Sequence, residues 1–283
     1  MADAAAPDVE GARRFVQRHG RLVDRRRLSF LVDGGPADAV VAAVAAYAQP
    51  DGGFAGVLEP DVRTLSSQPI AVLTAFEFLA DVGAPAPPAA LDWLGRLGPD
   101  GPVPFALPAD DDAPAAPWMA PAPEPSLHMT SAIAAAALRA GASGGWVARA
   151  LDWCRTVIGE RDLTAHETKY ALWLLEAAGD RDALADLAAR LPADGRLPVA
   201  GGIEGEALTL LELAPHPDSP VRARFDPGLV ETALDELAAG QAADGGWTFD
   251  WLDWSATTTW EWRARLTVDA LTTLARHDRL STT

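Results

Sequence analysis

The sequence of 283 residues holds one cysteine, Cys154, so no internal disulfide framework is available and a reducing compartment is expected. It holds one lysine, Lys169, and its positive charge is otherwise arginine, a bias that fits the coding preference of a GC-rich genome. Lys and Arg total 23 against 40 Asp and Glu, a formal net charge of −17 that argues against nucleic acid as a partner. No apolar run reaches the length of a membrane span, and the residues MADAAAPDVEGARRF lack the pattern of a basic segment followed by an apolar one. The expectation is therefore a cytoplasmic protein with no transmembrane segment. What the chain does have is a large apolar fraction, 49%, and ten tryptophans, five of them between Trp247 and Trp262.

That aromatic cluster belongs to a repeat. VAAYAQPDGGFAGVLEPD, ending at Asp61, parallels LAAGQAADGGWTFDWLD, ending at Asp253. Each is an Ala-rich helical run, then Gln, then Asp-Gly-Gly-aromatic, then an acidic loop. Weaker copies, LGRLGPDGPVPF and LAARLPADGRLPV, end at Phe105 and Val199. After the four turns come second apolar runs at 69–79, 126–140, 205–214 and 258–276. A further pair, at 146–158 and 163–178, has the same spacing without a glycine turn. Tyr170, Trp173, Leu174 and Ala177 recur at helical steps, and no alternating strand pattern stands out. The Asp-Gly-Gly turns are expected to terminate helices, because glycine accepts the left-handed conformation. With at least one more helix in 11–31, the count reaches eleven or twelve. The expected fold is all-α, an α/α toroid of about six helical hairpins, as one domain over 1–283. Residues 99–125, rich in Pro, Ala and Asp, read as a long loop.

The residues QAADGGW match the Q-x-x-x-G-x-W core of the repeat in squalene–hopene cyclase and related class II terpene cyclases, with Gln241, Gly245 and Trp247 at its fixed positions. QPDGGF, through Gln49 and Phe54, is a one-residue-shorter relative. Glycine-turn repeats also occur in the toroids of protein prenyltransferase β subunits. The chain thus resembles a stand-alone toroid of the terpene cyclase and prenyltransferase type. The resemblance covers most of the chain as architecture, and its specific repeat implies a structural tie between helix ends. The cyclase D-x-D-D string is absent, as is D-D-x-x-D, since Asp110–Asp112 are followed by Ala and Pro. The prenyltransferase zinc ligands do not map, and Cys154 falls in an expected outer helix.

In such a ring, loops from one end of every hairpin converge on a central cavity. Those loops supply Glu59, Asp61 and Arg63; Asp110–Asp112, Trp118, Glu124 and His128; His166, Glu167, Lys169, Tyr170 and Trp173; Glu204 and Glu206; and Asp250, Trp251, Asp253, Trp254, Trp260, Glu261 and Arg263. Carboxyl groups in an apolar, negative setting hold their protons and donate them, and indole faces stabilise a cation by about 0.5–2 kcal/mol each. Glu59, Asp61, Asp250, Asp253 and His166 are the catalytic candidates. Arg63, Trp118, His128, Tyr170, Trp173, Trp251, Trp254, Trp260 and Arg263 are the substrate-binding ones, while Trp247 is expected in the core. Glu59-Pro60-Asp61 reads equally as a turn and helix cap, and the two arginines equally as partners of neighbouring acids. Each histidine reads equally as a core or capping residue. The expected substrate is a small apolar molecule, an isoprenoid chain, cyclised through a carbocation. No cofactor and no metal ligand are expected, with Mg2+ only where the substrate carries a diphosphate. Paired carboxylates and Trp platforms also suit glycoside cleavage in a carbohydrate-active toroid, and a non-catalytic ring is the third reading.

Overall fold

A computed structural model describes residues 6–110 and 113–280. Two of the three consecutive aspartates, Asp111 and Asp112, lie outside the described residues. The chain is all-α, with twelve α-helices among the described residues and one two-stranded ribbon. It divides into two compact units: Pro36–Arg181, and Met1–Gly35 with Asp182–Thr283.

The central unit holds α3 (Ala37–Ala45), α4 (Pro69–Asp81), α5 (Pro88–Leu97), α6 (Leu127–Arg139), α7 (Gly145–Glu160) and α8 (Ala165–Ala177). α4, α6 and α8 pack side by side and bury most of their surface, whereas α3, α5 and α7 cover them with one apolar face each. The sequence explains the layering. The run AIAAAA in α6 offers small side chains except for the buried Ile133, so α4 and α8 approach it closely. α4 carries Phe76, Phe78 and Leu79, all buried, on a helix apolar nearly all round. Starts are set by local chemistry. Pro69 occupies the first turn of α4, the Ser126 hydroxyl accepts the Met129 N–H at 3.1 Å, and Thr164 and Glu167 form a capping box on α8.

The other unit holds α1 (Val9–His19), α2 (Leu22–Asp33), α9 (Arg181–Ala188, whose first residue belongs to the central unit), β1 (Leu197–Pro198), β2 (Ala207–Leu208), α10 (Leu210–Leu213), α11 (Pro227–Ala239) and α12 (Ala256–Arg276). The expected N-terminal helix is two, because Gly20 leaves the helical conformation and Arg21 caps α2 over Asp24. The expected helix over 205–214 is instead β2 followed by one helical turn. Glu206 is spent on the turn, its carboxylate accepting the Ile203 N–H, and Thr209 with Glu212 begins α10 only there. α1 packs on both α2 and α12, so the first and last helices of the chain are neighbours.

The Asp-Gly-Gly turns do not end helices, contrary to the expectation. α3 stops at Ala45 and α11 at Ala239, before their turns. The two turns are built alike: Gln49 N–H bonds Gly53 O as Ala242 N–H bonds Gly246 O, and Asp51 and Asp244 each accept the N–H two residues on. Gln49 therefore corresponds to Ala242, not to Gln241 as the one-residue-shorter alignment had it. The first glycine of each turn has φ near +95°, Gly52 at 95° and Gly245 at 94°. Each lies against the first turn of another helix: a Cβ on Gly52 would stand 2.6 Å from Ala89 O in α5, and one on Gly245 2.3 Å from Gly11 O in α1. Gly101 meets Arg149 O in α7 in the same way, at 2.6 Å. Gln241 completes the last joint, donating to Asp8 O and Gly245 O and accepting the Asp8 N–H at 2.7 Å. Gly245→Ala is expected to destabilise the fold by roughly 2–4 kcal/mol, from backbone overlap and a disfavoured φ. Gly83→Ala, at φ 69° with open space around it, is expected to cost about 1 kcal/mol. Denaturant unfolding of the two variants measures the difference.

Candidate functional site

The N-terminal ends of α4 and α6 are tied together by the loop between α5 and α6. Leu107 exchanges two hydrogen bonds with the side chain of Gln68, the residue that caps α4. Val103 accepts the Ser126 N–H at the start of α6. Farther along, Val62 pairs with Ala115, Ala116 N–H bonds Asp61 O, and Asp110 takes the Thr64 hydroxyl with the Leu65 and Ser66 N–H groups. Those donors hold the Asp110 carboxyl below the usual carboxylate range. The expected long loop is thus ordered by pairing with the segment before α4, with one turn of 3-10 helix at Pro117–Met119.

At these helix ends a column of rings forms. His128 stacks on His166 with centroids 5.2 Å apart and planes 10° apart, and on Tyr170 at 5.0 Å and 23°. Phe105 closes on His128 from the loop at 5.2 Å, and Trp173 meets Tyr170 edge-on at 5.4 Å. The Lys169 ammonium lies over Tyr170 and Trp173, 5.2 and 5.0 Å from their centroids. Burial pushes the His128 imidazole down to about 3, assisted by His166 and Lys169 and opposed by Glu167. Burial and Lys169 push His166 down to about 4. Both rings are neutral at pH 7, so neither is a proton donor there.

The carboxyl candidates of this unit are Glu59 and Asp61. Glu59 is 2% exposed and accepts the Thr74 hydroxyl of α4 at 2.7 Å; Asp61 is 7% exposed and accepts the Trp118 indole N–H at 2.9 Å. Arg63 is partly buried, its N–H bonded to Pro114 O. Four of the candidates, His128, His166, Tyr170 and Trp173, therefore share direct contacts, and Asp61 and Trp118 share a hydrogen bond. Phe105 and Thr74 were not singled out from sequence. Phe105 was legible as the aromatic that follows the second glycine turn, in the place Phe54 and Trp247 hold after the first and last.

The remaining candidates belong to the other unit. Trp247 is buried as expected, its N–H on Thr267 and its indole N–H on Leu237 O, which ties α12 to α11. Arg263 is committed to a two-pronged ion pair with Asp244 at 2.8 Å and lies over Phe15. Trp260, 42% exposed, stacks on His19 at 4.3 Å. Trp251 stacks on Phe249 and meets Trp262 edge-on. Trp254 is partly buried. Asp250 and Asp253 are exposed, the latter accepting the Thr259 hydroxyl at 2.5 Å. Two hollows flank α1, both open and polar, and neither is lined by any of the catalytic or substrate-binding candidates. Among the described residues no three His, Cys, Asp or Glu side chains are placed to hold a metal ion, and no helix is long and apolar enough to cross a membrane. Cys154 is buried in α7, where burial pushes its thiol above the usual range. The sequence matches no protein-family model and no curated protein.

The ring column makes stability pH-dependent. Unfolded imidazoles take a proton near pH 6.5, whereas these two resist it down to about 4 and 3. Stability is therefore full above pH 6.5 and falls with acid, by about 1.4 kcal/mol per pH unit per imidazole at the steepest. Urea titrations between pH 4 and 8 are expected to show this slope, and the double variant H128Q/H166Q to flatten it.

Proposed function

We propose that the six helical hairpins close into an α/α toroid of the terpene cyclase and prenyltransferase type, and that the chain acts on an apolar isoprenoid-like substrate. Three glycine turns, each seated against the backbone near the start of another helix, support the repeat. The packing of α1 against α12, last repeat to first, supports its closure. In this reading Glu59 protonates an alkene and the ring faces stabilise the resulting cation. The observation that carries the reading is the near-complete burial of the Glu59 carboxyl in the unit that gathers His128, His166, Tyr170 and Trp173 at its helix ends. Burial raises the cost of ionising a carboxylic acid and so favours a proton donor.

A second reading, a non-catalytic toroid that binds a partner or ligand, is favoured by the way other candidates are used. Asp61 is bonded to Trp118, Asp253 to Thr259 and Arg263 to Asp244, and the two open hollows are polar. Incubation with prenyl diphosphates and with unphosphorylated polyenes, followed by product analysis, separates the two. Under the enzymatic reading at least one substrate turns over, and Glu59→Gln lowers kcat by about 100-fold or more while the variant still melts as a folded protein. Absence of turnover and of any thermal shift across the panel would leave the non-catalytic reading.

A further inference from the structure

Seven arginines fall between Arg13 and Arg27 in a chain whose net charge is −17. Three of them are structural. Arg13 pairs with Glu10 and Asp33, Arg21 with the buried Asp24, and Arg27 with Asp269. Arg25 and Arg26 are different. Arg26 is exposed, and Arg25 gives its Nε–H to Gly20 O at 3.0 Å, which fixes its stem and leaves the outer nitrogens of the fork. Among the described residues neither has a carboxylate within salt-bridge distance.

Both line one hollow of about 290 Å3 between α1 and α2. Asp33, which also lines it, is paired with the Arg13 guanidinium and accepts a bond from the Ser29 side chain, which together hold its carboxyl below the usual range. The remaining polar groups of the lining include Arg25, Arg26 and the amide of Gln17, with no second acid among them. Leu22, 57% exposed, lines it too. Guanidinium forks match phosphate oxygens bidentately, and a surplus of negative charge over the remaining surface leaves this hollow as a local well for an anion.

We propose that the hollow between α1 and α2 is a binding site for phosphate groups, with Arg25 and Arg26 as the anion ligands and Gln17 as a neutral donor. The phosphate has two sources, a free inorganic anion or the headgroup of a small organic phosphate whose apolar part lies on Leu22. The inference is independent of the reaction proposed above, since none of its residues belongs to the ring column or its carboxyls.

Calorimetric titration of the full chain at low ionic strength with pyrophosphate, inorganic phosphate and n-octyl phosphate, with chloride at matched ionic strength as the reference, tests it. Saturable binding of a phosphate compound is expected, weakened at least tenfold in R25A/R26A and unchanged in R190A, an exposed arginine elsewhere. Tightest binding of octyl phosphate, lost in part in Leu22→Ser, identifies the organic source; tightest binding of pyrophosphate identifies the inorganic one. Melting curves of the unliganded variants, all altered at exposed or half-exposed positions, establish that they fold. No saturable binding by any of the three phosphates, equal binding by R25A/R26A, or equal loss in R190A overturns the proposal.

Discussion

Backbone touching backbone is the constraint on which this architecture depends. Gly52, Gly101 and Gly245 each bring a turn so close to the N-terminal part of another helix that a single methyl group would overlap a carbonyl or amide. Close approach of this kind fixes where the next helix starts, and with it the direction in which the buried helix after the turn sets out. Asp51 and Asp244 brace the turns from inside, and Asp51 also takes the Ser67 hydroxyl and the Trp93 indole. The repeat is thus a joint, and its acidic residue serves the joint before it serves any chemistry.

The same joint explains what was and was not legible in the residues. Helices with strong periodicity, such as α4, α6 and α8, were readable because their apolar faces span most of the circumference. The division of 11–31 into α1 and α2 was hidden, since Arg21 is no ordinary cap: the Asp24 carboxylate reaches back to accept its backbone N–H. The misplaced helix over 205–214 failed for a related reason. Its apolar residues Leu208, Leu210, Leu211 and Leu213 have helical spacing, but Glu206 and Thr209 spend their hydrogen bonds on a turn and a late cap.

Site residues followed a similar rule. His128 and His166 were readable because each stands at the second position of its helix, and Tyr170 and Trp173 because they follow His166 at helical steps along α8; the small residues of α6 let the two helices approach. What could not be read was which acids would be consumed by nearby donors. Trp118 lies far from Asp61 in sequence, and Asp244 looked like a turn residue, yet it is the partner that Arg263 uses. Charge alone gives no signal for such pairings; they depend on loop paths set by long-range bridges such as Val62 with Ala115. Glu59 is buried beside apolar sequence neighbours and takes its hydroxyl donor, Thr74, from the helix that follows.

The bond between Gln241 and Asp8 joins residues 233 positions apart. A ribosome delivers Asp8 first and Gln241 last, so the apolar faces of α1 and α2, with Phe15, Val16 and Leu28, have no α12 to rest on for nearly the whole of synthesis. The central unit, continuous in sequence, is free to assemble while they wait. Such a chain is most exposed to wrong partners early, at its amino-terminal pair of helices.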